Sequence, residues 1–363
     1  MLRYGLLLVL GLLLCRLQVC AQSAPDSAQR PGIQVHAYAE AYYAADLGTS
    51  QKQTRPLFFN FNQQRQFSIN LALVEVCGQM ADYRFRVTPA LGTYMQANYG
   101  GEPEGFRYLF EANAGVRLSP KRNVWLDAGI LPSPYGYEGA VSLFQNTLTR
   151  SLAAEYSPYF LTGARLSAPL GAGFTGSFYL VNGWQIIRET NRSPSAALQL
   201  QYQPTDKWLL NYSTYLGNER QQADTASRAR AMRHYHNLYA VYTPDSKTTW
   251  VALADFGLQN GYHSSPRAWW TAHLTCRRQL APRWQANARA EVFADPHHAH
   301  IYFQPYRTTF YGASLGAGYG WPGQALLRLE ARSLRAQDAV FTDEAGAATR
   351  WNYMLTTALS VYW

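Results

Sequence analysis

Charge is what this chain has least of. Asp, Glu, Lys and Arg make up 15% of its 363 residues, against about 25% in an average chain. Cysteine is scarce too: there are 4, and Cys15 and Cys20 belong to the first apolar stretch. The remaining pair, Cys77 and Cys276, is too far apart in sequence to frame a disulfide scaffold or a zinc motif. Beyond the start, no stretch reaches the roughly 18 apolar residues of a membrane helix. The formal net charge is +9, but the basic residues come mostly one at a time. They form no patch and no nucleic-acid-binding module, which excludes nucleic acid as the expected partner.

What the chain has in quantity is aromatic residues: 26 Tyr, 16 Phe and 10 Trp. Their placement is legible in the last stretch, Trp351 to Trp363. Trp351, Tyr353, Leu355, Leu359, Val361 and Trp363 share one face of a strand, and Asn352, Thr356 and Ser360 lie on the other. An apolar band with aromatics at both ends fits a transmembrane β-strand between lipid and water. Alone, it fits the last strand of a soluble sandwich equally well. A mean hydropathy of −0.27 does not separate the two, because polar lumen residues offset lipid-facing ones in an average.

The connections separate them. Strands are expected near 33–46, 66–77, 80–94, 107–118, 123–130, 159–168, 172–182, 195–203, 206–216, 233–243, 247–258, 267–278, 283–294, 307–319, 324–334 and 351–363. Short Pro- and Gly-rich links such as Pro169-Leu170-Gly171 and Pro244-Asp245-Ser246 alternate with long ones such as 47–65, 131–159 and 335–350. A sandwich has no reason to place every long loop at one end. A transmembrane antiparallel up-and-down β-barrel of about 16 strands does, with short periplasmic turns, long outer loops and both termini periplasmic. Trp208, Trp250, Trp284 and Trp363 are expected to form one aromatic girdle, and Tyr235, Trp270, Tyr311, Trp351 and Tyr353 the other.

The start reads as a secretory signal. Arg3 precedes the apolar run Leu6–Leu14, and Val19-Cys20-Ala21 is a cleavage site. The expected organisation is a signal peptide over 1–21, a periplasmic leader over 22–32 and the barrel over 33–363. Loss of Arg3 and Arg16 lowers the formal charge from +9 to +7.

Strand alternation supplies the candidate lumen wall. Arg84, Arg86, Glu111, Asn113, Arg117, Asp127, Arg165, Arg289, Glu291, Arg328, Glu330 and Arg332 oppose apolar faces and are expected to line a channel. The excess of Arg predicts a mild anion preference. Within the longest loop, Glu138, Arg150 and Glu155 are candidate constriction residues, either folded into the lumen or packed among outer loops. Glu75 breaks its strand's pattern, which a rim position or a β-bulge explains. Cys77 and Cys276 fall on outward faces of strands six apart, beyond disulfide reach.

Several stretches resemble the outer-membrane β-barrel porins of the Bacteroidota. They are Arg55-Pro56 with Asn60-Phe61-Asn62, Gly92-Thr93-Tyr94 with Gln96-Ala97-Asn98, Glu102-Pro103, Glu111-Ala112-Asn113 and Trp125–Ile130. Leu148-Thr149-Arg150-Ser151, Ala154-Glu155, Ser157-Pro158-Tyr159 with Gly163, and Asn182-Gly183-Trp184-Gln185 continue the likeness over residues 33–190. The resemblance implies a channel and names no solute. The terminal aromatic is similar to the signal read by the outer-membrane assembly machinery.

The resulting expectation is an outer-membrane porin that passes small polar solutes by passive diffusion. Its partners would be outer-membrane lipid, lipopolysaccharide, the assembly machinery and copies of itself, by analogy a trimer. No cofactor and no metal are expected. Asp295-Pro296-His297-His298-Ala299-His300 has metal-ligand types, but a solvated loop explains it as well. A receptor or adhesin barrel with a closed lumen is the first alternative. A barrel hydrolase built on the inward His273 is a weaker one, since no serine motif accompanies it.

Overall fold

The computed structural model describes residues 32–47, 53–55, 57–219, 231–260, 265–301, 308–322, 325–343 and 345–363. The stretches expected to be signal peptide and, but for Gly32, leader therefore lie outside the described residues.

The strands are β1 (Gly32–Leu47), β2 (Phe67–Gln79), β3 (Tyr83–Leu91), β4 (Leu109–Ser119), β5 (Val124–Pro132), β6 (Phe160–Gly171), β7 (Phe174–Val181), β8 (Ser195–Thr205) and β9 (Trp208–Asn218). They continue as β10 (Met232–Asp245), β11 (Thr248–Gln259), β12 (Arg267–Ala281), β13 (Trp284–Asp295), β14 (Thr308–Trp321), β15 (Ala325–Ala336), β16 (Phe341–Thr342), β17 (Ala348–Thr349) and β18 (Trp351–Tyr362). All but β16 and β17 form one closed barrel, in which β18 pairs with both β15 and β1. The closing seam runs antiparallel from Tyr38 opposite Tyr362 to Leu47 opposite Tyr353. The pair β16–β17 is a small hairpin inside the last long loop, not foreseen in the sequence. Two short helices, α1 (Thr93–Asn98) and α2 (Leu152–Glu155), lie in long loops.

Closure satisfies every strand edge, and the period of two sorts the side chains. On β11, Trp250, Ala252, Ala254 and Phe256 are exposed, while Val251, Leu253 and Asp255 are buried. Around the barrel the exposed face is apolar, with Leu315 at 71% and Phe67 at 85% exposure. In water such a band would forgo about 25 cal/mol for each Å² of apolar surface left uncovered. In a bilayer it meets acyl chains. Trp208, Trp250, Trp284 and Trp363 stand on this outer face, as do Trp270, Tyr311, Trp351 and Tyr353.

Tyr235 does not. It is 1% exposed, on the inner face of β10 with Asn237 and Tyr239, while His234 and His236 face out. The reason is an apolar cluster that fills much of the long-loop half of the barrel. Tyr179, Tyr215, Tyr235, Trp269, Phe293, Phe310 and Leu334 belong to it. Where both faces are apolar, hydrophobicity does not tell inside from outside.

A bulge settles Glu75. Leu71 lies opposite Glu40 and Ile69 opposite Ala41, so Asn70 is the extra residue on β2. Its amide turns inward, donating to Glu40 Oε2 at 2.9 Å and accepting from Phe61 N at 2.9 Å. Beyond the bulge the alternation is reversed. Glu75 and Cys77 therefore face the interior, which corrects the outward placement of Cys77. Cys276 faces out, and no disulfide joins the two. Across this bulge lies Gly92, at φ +131, where a Cβ would collide with the Asn70 carbonyl. A second irregularity, between Thr88 and Pro89 on β3, turns Phe110 into the interior rather than outward.

Candidate functional site: the barrel interior

The loop joining β5 to β6, residues 133–159, crosses the interior and is bonded to the walls along most of its length. Pro134 O accepts from Ser213 Oγ at 2.8 Å and Gln199 Nε2 at 3.3 Å. Gly136 N donates to Asn237 Oδ1 at 3.1 Å. Asn146 Nδ2 donates to Thr275 Oγ1 at 3.1 Å, and Ser142 Oγ bonds Glu40. These contacts run from β8 round to β1.

The tightest part is ionic. Glu330 accepts from Thr149 N at 2.9 Å and Thr149 Oγ1 at 2.6 Å. Arg289 pairs with Glu330 at 2.9 Å and donates to Thr149 O at 2.7 Å. Glu291 accepts from Leu152 N at 2.8 Å, while Arg332 donates to Arg150 O at 2.8 Å and pairs with Glu291 at 2.5 Å. Arg328 reaches Gln145 O at 3.3 Å and Thr147 O at 3.2 Å. Each of these charged groups is desolvated by the loop and compensated by it, the condition under which buried charge is tolerated.

That arrangement corrects the expected lumen wall at five positions. Arg289, Glu291, Arg328, Glu330 and Arg332 do face inward, but a protein segment covers them where the sequence reading has water. Removing one partner leaves the others uncompensated. Arg289→Met is expected to destabilise the folded barrel by about 3–5 kcal/mol, read from urea unfolding of the purified protein in detergent.

The three loop residues singled out in the sequence all hold the loop. Ser151 N donates to Glu138 Oε2 at 3.2 Å. Arg150 Nη1 donates to Thr147 O at 3.2 Å and Leu148 O at 3.1 Å. Glu155 Oε2 accepts from Phe59 N at 2.7 Å and Asn60 N at 3.3 Å, tying the loop to the one after β1.

Burial pushes the Glu155 carboxyl from its ordinary 4.5 up to about 7. With the folded value above the unfolded one, the folded state binds more protons between the two. Its stabilising effect is complete below about 4.5 and is lost as pH rises through about 7. The unfolding midpoint should therefore fall across this window, and Glu155→Gln should flatten the dependence.

Open space remains on the opposite side, along β2 to β8. One void, with about 90 Å³ of room for water, is lined by Glu75, Arg86, Glu111, Tyr99, Phe110 and loop residues around Glu138. A second, with about 60 Å³, is lined by Arg84, Arg165, Tyr179, Gln199 and Tyr239, and both share Pro132 and Ser133. On this wall Arg84 grips Asp127 through both carboxylate oxygens, at 2.6 and 2.7 Å, and Arg165 joins at 3.0 Å. Asp127 is 1% exposed, against 17% for Arg84 and 19% for Arg165. The carboxylate is covered, and the guanidinium edges meet the void. Arg86 stands 3.5 Å from Glu75 and 3.6 Å from Glu111. Arg84 and Arg117 both stack on Trp125, at 4.3 and 4.9 Å from its ring centre. Asn113 is held by Glu111 at 2.8 Å and Ile130 O at 3.0 Å.

Residues 32–362 match the family described as "Putative beta-barrel porin-2, OmpL-like". The chain belongs to this porin family. Solved structures agree on the fold. The anion-selective porin of Comamonas acidovorans aligns at TM-score 0.59 with 7% identity, over 92% of this chain and 99% of that one. The outer-membrane channel DcaP of Acinetobacter baumannii aligns at 0.60 with 7% identity, over 91% and 97%. The trimer form of OmpT from Vibrio cholerae aligns at 0.55 with 9% identity, over 92% and 99%. No curated protein matches the chain.

The other chemical candidates come apart in three dimensions. Asp295 accepts from Ala299, His300 and Ile301 N at 2.6, 2.7 and 2.8 Å, closing its own loop. His297 bonds Ala268 O and His298 bonds Ile301 O. His300 packs on Trp269, with ring centres 4.5 Å apart, and burial lowers its pKa well below the ordinary imidazole value. His273 lies 3.9 Å from Glu138, buried beneath the loop, and the serine nearest in this network, Ser151, bonds Glu138 instead. No serine–histidine pair forms there.

Proposed function

We propose that this outer-membrane porin passes small polar solutes by passive diffusion through the space between its inner loop and the β2–β8 wall, with a mild preference for anions. The observation that carries the reading is the Arg84–Asp127–Arg165 group. It hides its carboxylate and turns two guanidinium edges to the void. Arg84, Arg86, Arg165 and Glu111 are the proposed lining on this wall, with Asp127, Arg117 and Asn113 supporting it. Such a wall concentrates anions and selects by charge and width. Glu138, Arg150 and Glu155 are proposed to fix the position of the constriction. Proteoliposomes test the reading: they should swell in small uncharged sugars, and faster in chloride than in a bulky-anion salt of the same cation. Swelling no faster than empty liposomes would count against it.

The same reading places the short turns and both termini in the periplasm, in a chain of Bacteroidota type delivered by a signal peptide over 1–21. It makes outer-membrane lipid, lipopolysaccharide and the assembly machinery the partners. A trimer is favoured by likeness to the trimer form of OmpT from Vibrio cholerae. The receptor reading rests on one observation, the packed apolar cluster around Trp269 and Tyr235 in the long-loop half.

A further inference from the structure

The bulge at Asn70 has a second consequence. By reversing the phase of β2 it brings Glu75 and Cys77 to the inner face, beside His36 of β1. His36 lies directly opposite Glu75 in the strand register, and Cys77 lies opposite Gln34, one inward position away. One donor atom from each of His36, Glu75 and Cys77 lies within 4.8 Å of the other two. An imidazole, a carboxylate and a thiolate are the ligand types of a borderline dication such as Zn²⁺.

We propose that His36, Glu75 and Cys77 bind a transition-metal dication, Zn²⁺ in the first instance, at the short-turn end of the barrel interior. Donors around a tetrahedral zinc stand about 3.3–3.8 Å apart, given bonds of roughly 2.0–2.3 Å. Side-chain torsions on two paired strands cover the remaining gap without moving the backbone. The imidazole is already oriented. Its Nε2 lies 3.4 Å from Gln34 Oε1, and its ring stacks on Tyr362 at 5.6 Å. Gln34 is thereby a supporting group that fixes one ring nitrogen and leaves the other as ligand. Three protein donors leave the fourth position to water or a solute from the void that Glu75 lines.

Arg86 is the competing cation, 3.5 Å from Glu75. It is also 3.6 Å from Glu111, so it keeps a carboxylate when Glu75 turns to the metal. Charge then balances. The dication and Arg86 offset Glu75, Glu111 and the Cys77 thiolate, whose proton leaves to solvent on binding. The site was not readable from spacing, because His36 and Cys77 come from different strands and the bulge decides which way Cys77 points.

Cobalt supplies the test, because a thiolate ligand gives Co²⁺ a charge-transfer band that carboxylate and imidazole alone do not. The full-length protein isolated in detergent should develop that band, saturating at one equivalent, and Zn²⁺ should displace it. Cys77→Ser should abolish the band, and His36→Gln and Glu75→Gln should each weaken binding about tenfold or more. In the unmutated protein, Zn²⁺ should also protect Cys77 from alkylation, located by peptide mass. That readout stands even where a variant fails to fold. Absence of the band, a band unchanged in Cys77→Ser, or alkylation of Cys77 unaffected by Zn²⁺ overturns the proposal.

Discussion

Excising residues 139–150 is expected to raise single-channel conductance by at least about twofold, since conductance grows with open cross-section. The geometry favours a clean excision. Ser151 N already donates to Glu138 at 3.2 Å, so the new junction joins residues that touch. The deleted segment carries the groups that cover Glu330 and Arg289, among them Thr147 and Thr149. Its loss returns water to Arg289, Glu330 and Arg328 and widens the passage from the β2–β8 side toward β15. The barrel itself should survive, because the strand pairing that closes it runs directly from β1 to β18. Unchanged conductance in a folded deletion variant would show that this segment does not limit the passage.

Reversing Arg84, Arg86 and Arg165 to Glu should turn the anion preference into a cation preference, read as a change of sign of the reversal potential in a salt gradient. These three guanidiniums are the cations at the two voids. Each replacement also frees a carboxylate. Asp127 loses both partners, and Glu75 and Glu111 lose Arg86. The lining of the two voids then presents only negative charge, and in a narrow low-dielectric passage the sign of the fixed charge dominates selectivity. By the same reasoning Arg289 and Arg332, sealed beneath the loop, contribute little to selectivity. A variant whose reversal potential keeps its sign would locate the selective region elsewhere.

The architecture was legible because two signals agree along the whole chain: alternating faces and alternating connection lengths. The sixteen barrel strands follow from them. What misled the reading was the assumption that a polar inward face meets water. Arg289 and Glu330 alternate as lumen residues do, yet a loop covers them, and alternation reports the side of a wall rather than what lies beyond it. Tyr235 failed for the converse reason, since the interior is apolar at that level. Glu75 and Cys77 depended on one inserted residue, Asn70, whose role lies in contacts to Glu40 and Phe61 that no local pattern encodes. The loop's path was open in the sequence for the same cause: its anchors on β10, β13 and β15 are separated from it by about a hundred residues or more.

The most direct measurement is the current through single molecules of the purified protein in a planar bilayer under a salt gradient. Discrete, stable, ohmic steps with a reversal potential of anion sign are the predicted result. Folded, heat-modifiable protein that inserts and yields no steps would contradict the account, and would mean that the inner loop and the apolar cluster around Trp269 together close the barrel.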